Sequence, residues 1–269
     1  MTTAYETIPK IGLGTFGLTG EAGLDAFASA IAVGYRHLDT AQTYGTEENL
    51  GKAVAQSGID RDAFFITTKI TASNLGRLEA SVDDSLKLMG LDYADLVLIH
   101  WPAPNDETPV RDYIGDLARC QDAGKARLIG VSNFTRRHVD EAIGEIGEGR
   151  LATNQVEQHV FLQNRVLAEH CQAAGMAITA YRPLGGGGLD ETLPLAKVAR
   201  RHGAEPSQIA LAYLLALGSI VIPKSATPDR QESNLAAVEI RLDQEDMDMI
   251  AKLDCGRRSI DPEWGPTWD

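Results

Sequence analysis

Apolar and polar positions follow two alternating patterns along this chain. Apolar side chains recur at helical spacing around residues 24–31, 78–89 and 139–146, so that each stretch carries one apolar stripe. Between the helical stretches lie short β-branched runs with little alternation, as expected of parallel strands covered on both faces. The pattern predicts repeated βα units along almost the whole chain.

Glycine residues separate these units. Seven of them follow a helical stretch shortly before a strand-like run, where a helix C-terminus needs a residue with positive φ: Gly34, Gly58, Gly90, Gly124, Gly149, Gly175 and Gly218. The runs that follow are RHLDT, FFITTK, DLVLIH, RLIGVSN, ATNQVE, AITAYRP and SIVIPKS, and LAAVEI at 235–240 is a candidate eighth. Each glycine therefore predicts one return from helix to strand.

The number of units favours a closed α/β barrel. Eight βα units in about 250 residues is the size of a (β/α)8 TIM barrel, and we expect one such domain over residues 1–269 because no linker or composition shift interrupts the chain. A doubly wound open sheet would need a glycine-rich turn after its first strand. GLGTFG at residues 12–17 precedes any such strand, and ETIPKIGLGTF is predicted to form a short N-terminal β-hairpin.

The charge of the chain restricts its partners. Its 269 residues carry a formal net charge of -13, whereas nucleic acid and anionic membranes both favour a basic surface. The N-terminus, MTTAYETIPK, has no basic stretch followed by an apolar core, and the apolar run at 209–222 is too short and broken to span a bilayer. We expect a cytoplasmic monomer that acts on a small molecule.

The cysteine and histidine residues give no pattern of a metal site. Cys120, Cys171 and Cys255 lack paired spacing, which is typical of a reducing compartment and predicts a structural role. A metal-dependent barrel hydrolase would need clustered His and carboxylate ligands at strand ends, and the six histidines offer no such set.

Polar residues follow the predicted strands. In a (β/α)8 barrel, functional groups lie at the carboxyl ends of the strands and on the loops after them. Tyr44 lies on the loop after the first run, and the strand ends themselves carry Asp39, Lys69, His100, Ser132, Asn133, Gln155, Tyr181, Lys224 and Ser225. One mouth of the barrel is therefore predicted to bring together an acid, a phenol, an amine and an imidazole, the groups of a proton-transfer site.

Several motifs occur in the order typical of the aldo-keto reductase family: GLGTF, GYRHLDTAQTYGTEENLG, TTKI, DLVLIHWP, IGVSNF, TNQVEQH, AYRPLG and IPKSATPDRQESN. The chain resembles this family over essentially its whole length. It is most similar to the bacterial reductases of 2,5-diketogluconate and methylglyoxal type, through HWPAPNDE and the C-terminal LDCG and PEWGPTWD. The resemblance implies reduction of aldehydes and ketones with a nicotinamide cofactor.

The family's catalytic tetrad matches Asp39, Tyr44, Lys69 and His100. Hydride addition to a carbonyl carbon builds negative charge on the oxygen, which an acid must neutralise, and the resemblance gives this role to Tyr44. We expect the Lys69 ammonium to lower the pKa of Tyr44, and Asp39 to pair with Lys69. His100 is expected to hydrogen-bond and orient the substrate oxygen.

The resemblance also implies how the cofactor binds. Lys224 and Arg230 place two cations on the loop and helix start after the seventh predicted strand, with Ser225 and Thr227 as hydroxyl donors. This set suits a ribose phosphate and favours NADPH over NADH, the alternative being a basic loop capped by Ser and Thr. Asn234 matches the family's adenine contact.

The remaining contacts are implied by the same match. The carboxamide of the nicotinamide is expected to bind Ser132, Asn133 and Gln155, although Asn133 and Gln155 taken alone could cap helices or fill a polar core. Tyr181 is expected to stack on the ring. Residues 185–188 form either a lid or a flexible turn.

Phe16 and Trp101 match the walls of the substrate pocket. Trp264 and Trp268, near the C-terminus, either join that wall or only anchor the tail by packing. Arg182 either reaches a cofactor phosphate or points to solvent. A second functional hypothesis is a cofactor-binding barrel that senses redox state as a regulatory subunit with little turnover, and the intact tetrad favours the enzyme over it.

Overall fold

The computed structural model describes residues 4–269, and at its centre is one sheet of eight parallel strands. Each strand pairs with its neighbours in chain order. The strands are β1 (Leu13–Gly14), β2 (His37–Asp39), β3 (Phe65–Ile70), β4 (Ala94–Ile99), β5 (Ala126–Ser132), β6 (Leu151–Glu157), β7 (Ala177–Tyr181) and β8 (Ile220–Val221). The predicted α/β barrel is confirmed.

Helices connect the strands. They are α1 (Gly20–Val33), α2 (Glu47–Gln56), α3 (Leu78–Met89), α4 (Ile114–Asp122), α5 (Arg136–Ile146), α6 (Arg165–Ala173), α7 (Leu193–His202), α8 (Pro206–Ala216), α9 (Pro228–Ala236) and α10 (Gln244–Ala251). All seven predicted glycine stops have positive φ, between 67° and 120°, and each precedes one of the strands β2 to β8. Within residues 4–269, no helix is long and apolar enough to cross a bilayer.

The segment before α1 closes the barrel, so the predicted N-terminal hairpin is wrong. Gly12 N donates to Val221 O at 2.9 Å and Gly14 N to Pro223 O at 3.1 Å, while β1 pairs in parallel with β2 on its other side. The glycines permit close packing: a Cβ on Gly12 would lie 2.7 Å from the His37 ring. GLGTF is therefore a barrel strand that approaches its neighbours closely.

The candidate strand LAAVEI is also wrong. Residues 235–240 complete α9 and a following 3-10 turn, Ala237–Glu239. Their apolar side chains, including buried Ala237, pack on the helical layer. The apolar run reflects a helix face, which a short window cannot distinguish from a buried strand.

The barrel interior changes character along its axis. At the amino end, Ile8 and the inward-facing Leu96, Leu98 and Ile220 form a small apolar cluster. Because side chains alternate along a strand, His100 continues the inward row of Leu96 and Leu98 at the carboxyl end. Buried polar side chains from several strands occupy that end and form the candidate site.

Candidate active site

A buried ion pair lies at the base of the site. Lys69 on β3 and Asp39 at the end of β2 are each no more than 1% exposed, and Lys69 Nζ contacts Asp39 Oδ1. Lys69 Nζ also donates to Thr40 O at 2.7 Å, and Gln155 Nε2 donates to Asp39 Oδ2 at 2.7 Å. A charge in a barrel interior is tolerated only when it is paired and hydrogen-bonded, and this pair meets both conditions.

Tyr44 lies over this pair. It ends a short 3-10 turn, Gln42–Tyr44, which Gly45 terminates with φ of 65°. The Lys69 Nζ atom is 4.8 Å from the centroid of the Tyr44 ring. The same ring packs edge-on against His100 at 5.5 Å and against Phe16 at 5.2 Å. The phenol, the ammonium and the imidazole therefore converge as the sequence predicted.

The Lys69 ammonium acts to lower the pKa of Tyr44, as expected, but burial has the larger effect. Burial raises the pKa of the Tyr44 phenol above its ordinary value, and the Lys69 ammonium opposes this rise without reversing it. Although burial alone would lower the pKa of Lys69, Asp39 and Tyr44 together raise it. Tyr44 is therefore held in its protonated form, and Lys69 in its charged form.

His100 is held neutral. Burial, together with the nearby Lys69 ammonium, lowers the pKa of its imidazole to about 3. The backbone is fixed on both sides, because His100 N donates to Ile70 O at 2.9 Å and His100 O accepts from Asn133 Nδ2 at 3.0 Å. A neutral imidazole can donate a hydrogen bond from one ring nitrogen to a substrate oxygen.

A polar network lines the wall formed by β5 to β7. Asn133 follows β5 with φ of 61°, a left-handed conformation that Asn tolerates well. Its side chain bonds Ser132 Oγ at 3.1 Å and accepts from the Tyr181 hydroxyl at 2.9 Å. The network holds the Tyr181 ring, which is partly exposed, at the end of β7.

This wall fits a carboxamide. Gln155 is buried, and while its Nε2 binds Asp39, its Oε1 accepts no hydrogen bond from residues 4–269. An acceptor at this point with no protein partner in that range matches the amide N–H donors of a nicotinamide. Across the described part of the chain, no three His, Cys, Asp or Glu side chains form a group that could hold a metal ion.

The predicted phosphate site lies at the start of α9. Lys224 and Arg230 are exposed, and neither has a carboxylate partner among the described residues. Ser225 is buried, and its Oγ accepts from Thr227 N at 3.2 Å, which orders the turn into the helix. Two unpaired cations on a chain with a net charge of -13 fit an anionic ligand. Asn234 lies buried on the same helix.

Aromatic side chains form the outer walls. Phe16 is 68% exposed beside Tyr44. Trp101 packs edge-on against Trp264 at 5.1 Å and Trp268 at 6.2 Å, so both C-terminal tryptophans reach the wall that the sequence assigned to Trp101. The pocket mouth is therefore partly built by the tail.

The sequence prediction missed Glu157. This residue ends β6, is fully buried, and accepts backbone hydrogen bonds from Ser259 and Ile260 of the tail. Arg182 is exposed, and its Nε lies 3.9 Å from Glu157. The available signal was an acid two positions after Gln155, because i and i+2 share one face of a strand.

Residues 185–188 form a turn of four consecutive glycines. All four have positive φ, between 62° and 117°, and Gly185 alone of them is buried. The Arg182 side chain lies against the turn, because a Cβ on Gly186 would be 2.5 Å from Arg182 Nη2. The turn therefore adjoins the end of β7, next to Tyr181.

Known proteins similar to this chain belong to one family. The model of the aldo/keto reductase family matches residues 10–254. Methylglyoxal reductase DkgB of Salmonella typhi is 41% identical over 98% of this chain and 100% of its own length. The aldose reductase from Schistosoma japonicum superposes with a TM-score of 0.89 at 30% identity, covering 97% of this chain and 94% of that one.

Two further structures are similar. MGS-M4, an aldo-keto reductase enzyme from a Medee basin deep-sea metagenome library, gives a TM-score of 0.90 at 35% identity, over 97% of this chain and 96% of that one. A candidate 2,5-diketo-D-gluconic acid reductase B gives a TM-score of 0.93 at 35% identity, over 100% of this chain and 98% of that one. The expected similarity to the bacterial 2,5-diketogluconate and methylglyoxal reductases is confirmed.

The protonation of His100 tests the geometry of the site. Since its pKa falls from 6.5 to about 3, the folded chain lacks a proton between these values that the unfolded chain binds. The contribution of neutral His100 to the free energy of unfolding is therefore full above the unfolded pKa and declines as the pH falls below it. We expect its ring Cε1–H chemical shift, assigned by comparison with His100→Gln, to stay constant down to about pH 5. A titration midpoint near 6.5 would contradict this environment.

Proposed function

The chain belongs to the aldo/keto reductase family, and we propose that within it the protein reduces aldehydes and ketones to alcohols with NADPH, with Tyr44 as the proton donor. One observation carries this proposal. The phenol of Tyr44 lies over a buried Lys69–Asp39 pair and beside the neutral imidazole of His100, at the carboxyl end of the barrel. This is the end at which barrel enzymes place their chemistry.

Tyr44 and His100 divide the work at the substrate oxygen. As negative charge grows on that oxygen, Tyr44 supplies the proton, since its raised pKa keeps the phenol protonated before reaction. His100 is neutral, so its ring donates a hydrogen bond that orients the carbonyl without competing as an acid. The Phe16 ring, which packs edge-on against Tyr44 at 5.2 Å, provides an apolar wall beside the phenol.

Lys69 and Asp39 act through Tyr44. When the phenol gives up its proton, the Lys69 ammonium stabilises the phenolate that remains. Asp39 keeps Lys69 charged and in place, and Gln155 fixes Asp39 from the opposite side at 2.7 Å. We infer that the four tetrad positions work as one electrostatic unit, with Gln155 linking it to the cofactor wall.

The cofactor proposal rests on two parts of the molecule. Reduced nicotinamide, when bound, supplies the hydride that no protein side chain can donate. Ser132, Asn133 and Gln155 would hold the carboxamide and Tyr181 the ring, because Gln155 Oε1 has no protein partner within residues 4–269 and lies beside this network. The ribose phosphate would bind Lys224, Arg230, Ser225 and Thr227, and this phosphate site favours NADPH over NADH. Asn234 would lie near the adenine.

The substrate is proposed to be a small carbonyl compound that enters between Phe16 and Trp101. The similar proteins carry the names methylglyoxal reductase and 2,5-diketo-D-gluconic acid reductase, and we propose that these two compounds belong to the range of substrates. We further propose a single barrel domain over residues 1–269 that acts as a monomer in the cytoplasm. Three free cysteines, with burial raising the pKa of the Cys120 thiol to about 11, support a reducing compartment.

Replacing Tyr44 tests the proton donor. Tyr44→Phe should lower turnover of methylglyoxal by about 10²- to 10⁴-fold, because the general acid is lost, while the Kd for NADPH changes less than about twofold. Tyr93→Phe is the matched control, since the Tyr93 hydroxyl binds Asp62 in the outer layer. NADPH oxidation and cofactor fluorescence measure the two quantities.

The same measurement separates the enzyme from the regulatory barrel. A wild-type protein that binds NADPH but turns over methylglyoxal and an activated aromatic aldehyde no faster than Tyr44→Phe would support the redox-sensing subunit. Turnover retained by Tyr44→Phe would remove this residue from its role.

Replacing Arg230 tests the preference for NADPH. Arg230→Ala should raise the Kd for NADPH about tenfold or more, because a hydrogen bond to a charged phosphate is lost. The Kd for NADH should change less than about twofold. Arg200→Ala is the control, since Arg200 is an exposed arginine on α7. An equal rise in the Kd for NADPH and for NADH would show that Arg230 does not recognise the phosphate.

A further inference from the structure

The C-terminal tail, residues 252–269, crosses the carboxyl end of the barrel without helix or strand. On one side, Arg257 N donates to Phe161 O at 3.0 Å in the loop after β6. On the other side, Trp264 O accepts from Asn105 N at 2.9 Å in the loop after β4. The tail is therefore fastened across the mouth between two loops.

Glu157 holds the middle of the tail. It ends β6, two residues beyond Gln155 and in register with Tyr181 of β7, so it belongs to the wall that faces the proposed cofactor. Its carboxylate accepts from Ser259 N at 3.0 Å and from Ile260 N at 2.8 Å. A rigid strand end thus binds two successive backbone N–H groups of an irregular segment.

The charge of Glu157 depends on this contact. Burial alone would raise its pKa, yet hydrogen bonds from His159, Ile260 and Ser259 lower the pKa to about 2. The Arg182 guanidinium, at 3.9 Å, is beyond hydrogen-bond reach. The tail N–H groups therefore stabilise a buried charge, and charge-assisted hydrogen bonds are among the stronger ones in proteins.

The segment after this contact carries the outer tryptophans, Trp264 and Trp268. Both pack edge-on against Trp101, which directly follows His100 in the chain. Arg258, immediately before the contact, lies 3.7 Å over the Trp268 ring. The position of the outer tryptophans therefore follows from where the tail is fixed.

We propose that Glu157 is a positioning residue: its carboxylate fixes the tail at Ser259 and Ile260, and the fixed tail holds the outer tryptophans at the substrate pocket. Glu157 itself does not touch the substrate. That this pocket binds a carbonyl substrate rests on the proposed function, whereas the contact between Glu157 and the tail does not depend on it. The consequence is that Glu157 governs the KM for the carbonyl substrate through the tail.

Glu157→Gln tests this proposal, because it keeps the size of the side chain and removes the charge that the tail N–H groups bind. Trypsin cleavage after Arg258 should become about tenfold faster, as the loss of charge-assisted bonds frees the tail. The KM for methylglyoxal should rise about fivefold or more, while kcat and the Kd for NADPH change less than about twofold. Cleavage after Arg201 on α7 is the internal control for global unfolding.

A second pair of variants leaves the buried carboxylate intact. Ile260→Pro removes one of the two N–H donors. Ile260→Ala is the control, because it also shortens the side chain but keeps the N–H group. We expect Ile260→Pro to reproduce the faster cleavage and the higher KM, and Ile260→Ala to show neither beyond about twofold. The double variant Glu157→Gln with Ile260→Pro should show little further increase in cleavage or KM, because both changes remove the same contact.

Three outcomes would overturn the proposal. Unchanged cleavage after Arg258 in both Glu157→Gln and Ile260→Pro would show that the carboxylate does not fix the tail. Faster cleavage with an unchanged KM would show that the tail does not shape the pocket. A parallel rise in the Kd for NADPH would assign Glu157 to the cofactor wall. Absence of any carbonyl reduction in the wild type would refute the proposed function but leave the cleavage test intact.

Discussion

The ion pair between Lys69 and Asp39 is the constraint on which the rest of the site depends. Both charges lie in the barrel interior, where an unpaired charge would be strongly destabilising. Thr40 O and Gln155 Nε2 satisfy the remaining hydrogen-bonding capacity of the pair. Since well-packed apolar side chains of similar volume are often at least as stable as a buried ion pair, stability alone does not account for this one. Its position under the Tyr44 ring does.

The barrel brings this pair to its neighbours by geometry. Parallel strands end at the same rim, so the ends of β2, β3, β4 and β6 place their side chains within a few ångströms of each other although they are far apart in the chain. An apolar cluster that includes Leu96, Leu98 and Ile220 lies beneath, and the charged Lys69–Asp39 pair lies toward the rim. Burial at this rim sets the two opposed pKa shifts, upward for the Tyr44 phenol and downward for the His100 imidazole. The Tyr44 phenol is thus kept as an acid, and the His100 imidazole as a neutral hydrogen-bond donor.

Much of this arrangement could be predicted from the sequence, and the failures have physical causes. The glycine stops located seven strands correctly, because a helix C-terminus before a short return requires positive φ. GLGTF was misassigned because a two-residue strand carries no periodicity, and its pairing with Val221 joins distant parts of the chain. The net shift of the Tyr44 pKa could not be predicted, since the depth of burial is a property of the fold. Glu157 was missed because its partners are backbone N–H groups, which sequence patterns do not reveal.

We infer that the buried pair serves the chemistry of Tyr44 and not the stability of the barrel. Replacing both partners together, Asp39→Asn with Lys69→Met, avoids leaving a lone buried charge and so separates the two roles. We predict a urea midpoint no lower than that of the wild type and a Kd for NADPH within about twofold, with turnover of methylglyoxal reduced by about 10²- to 10⁴-fold. A folded double variant whose turnover stays within about tenfold of the wild type would show that Tyr44 does not need the buried pair.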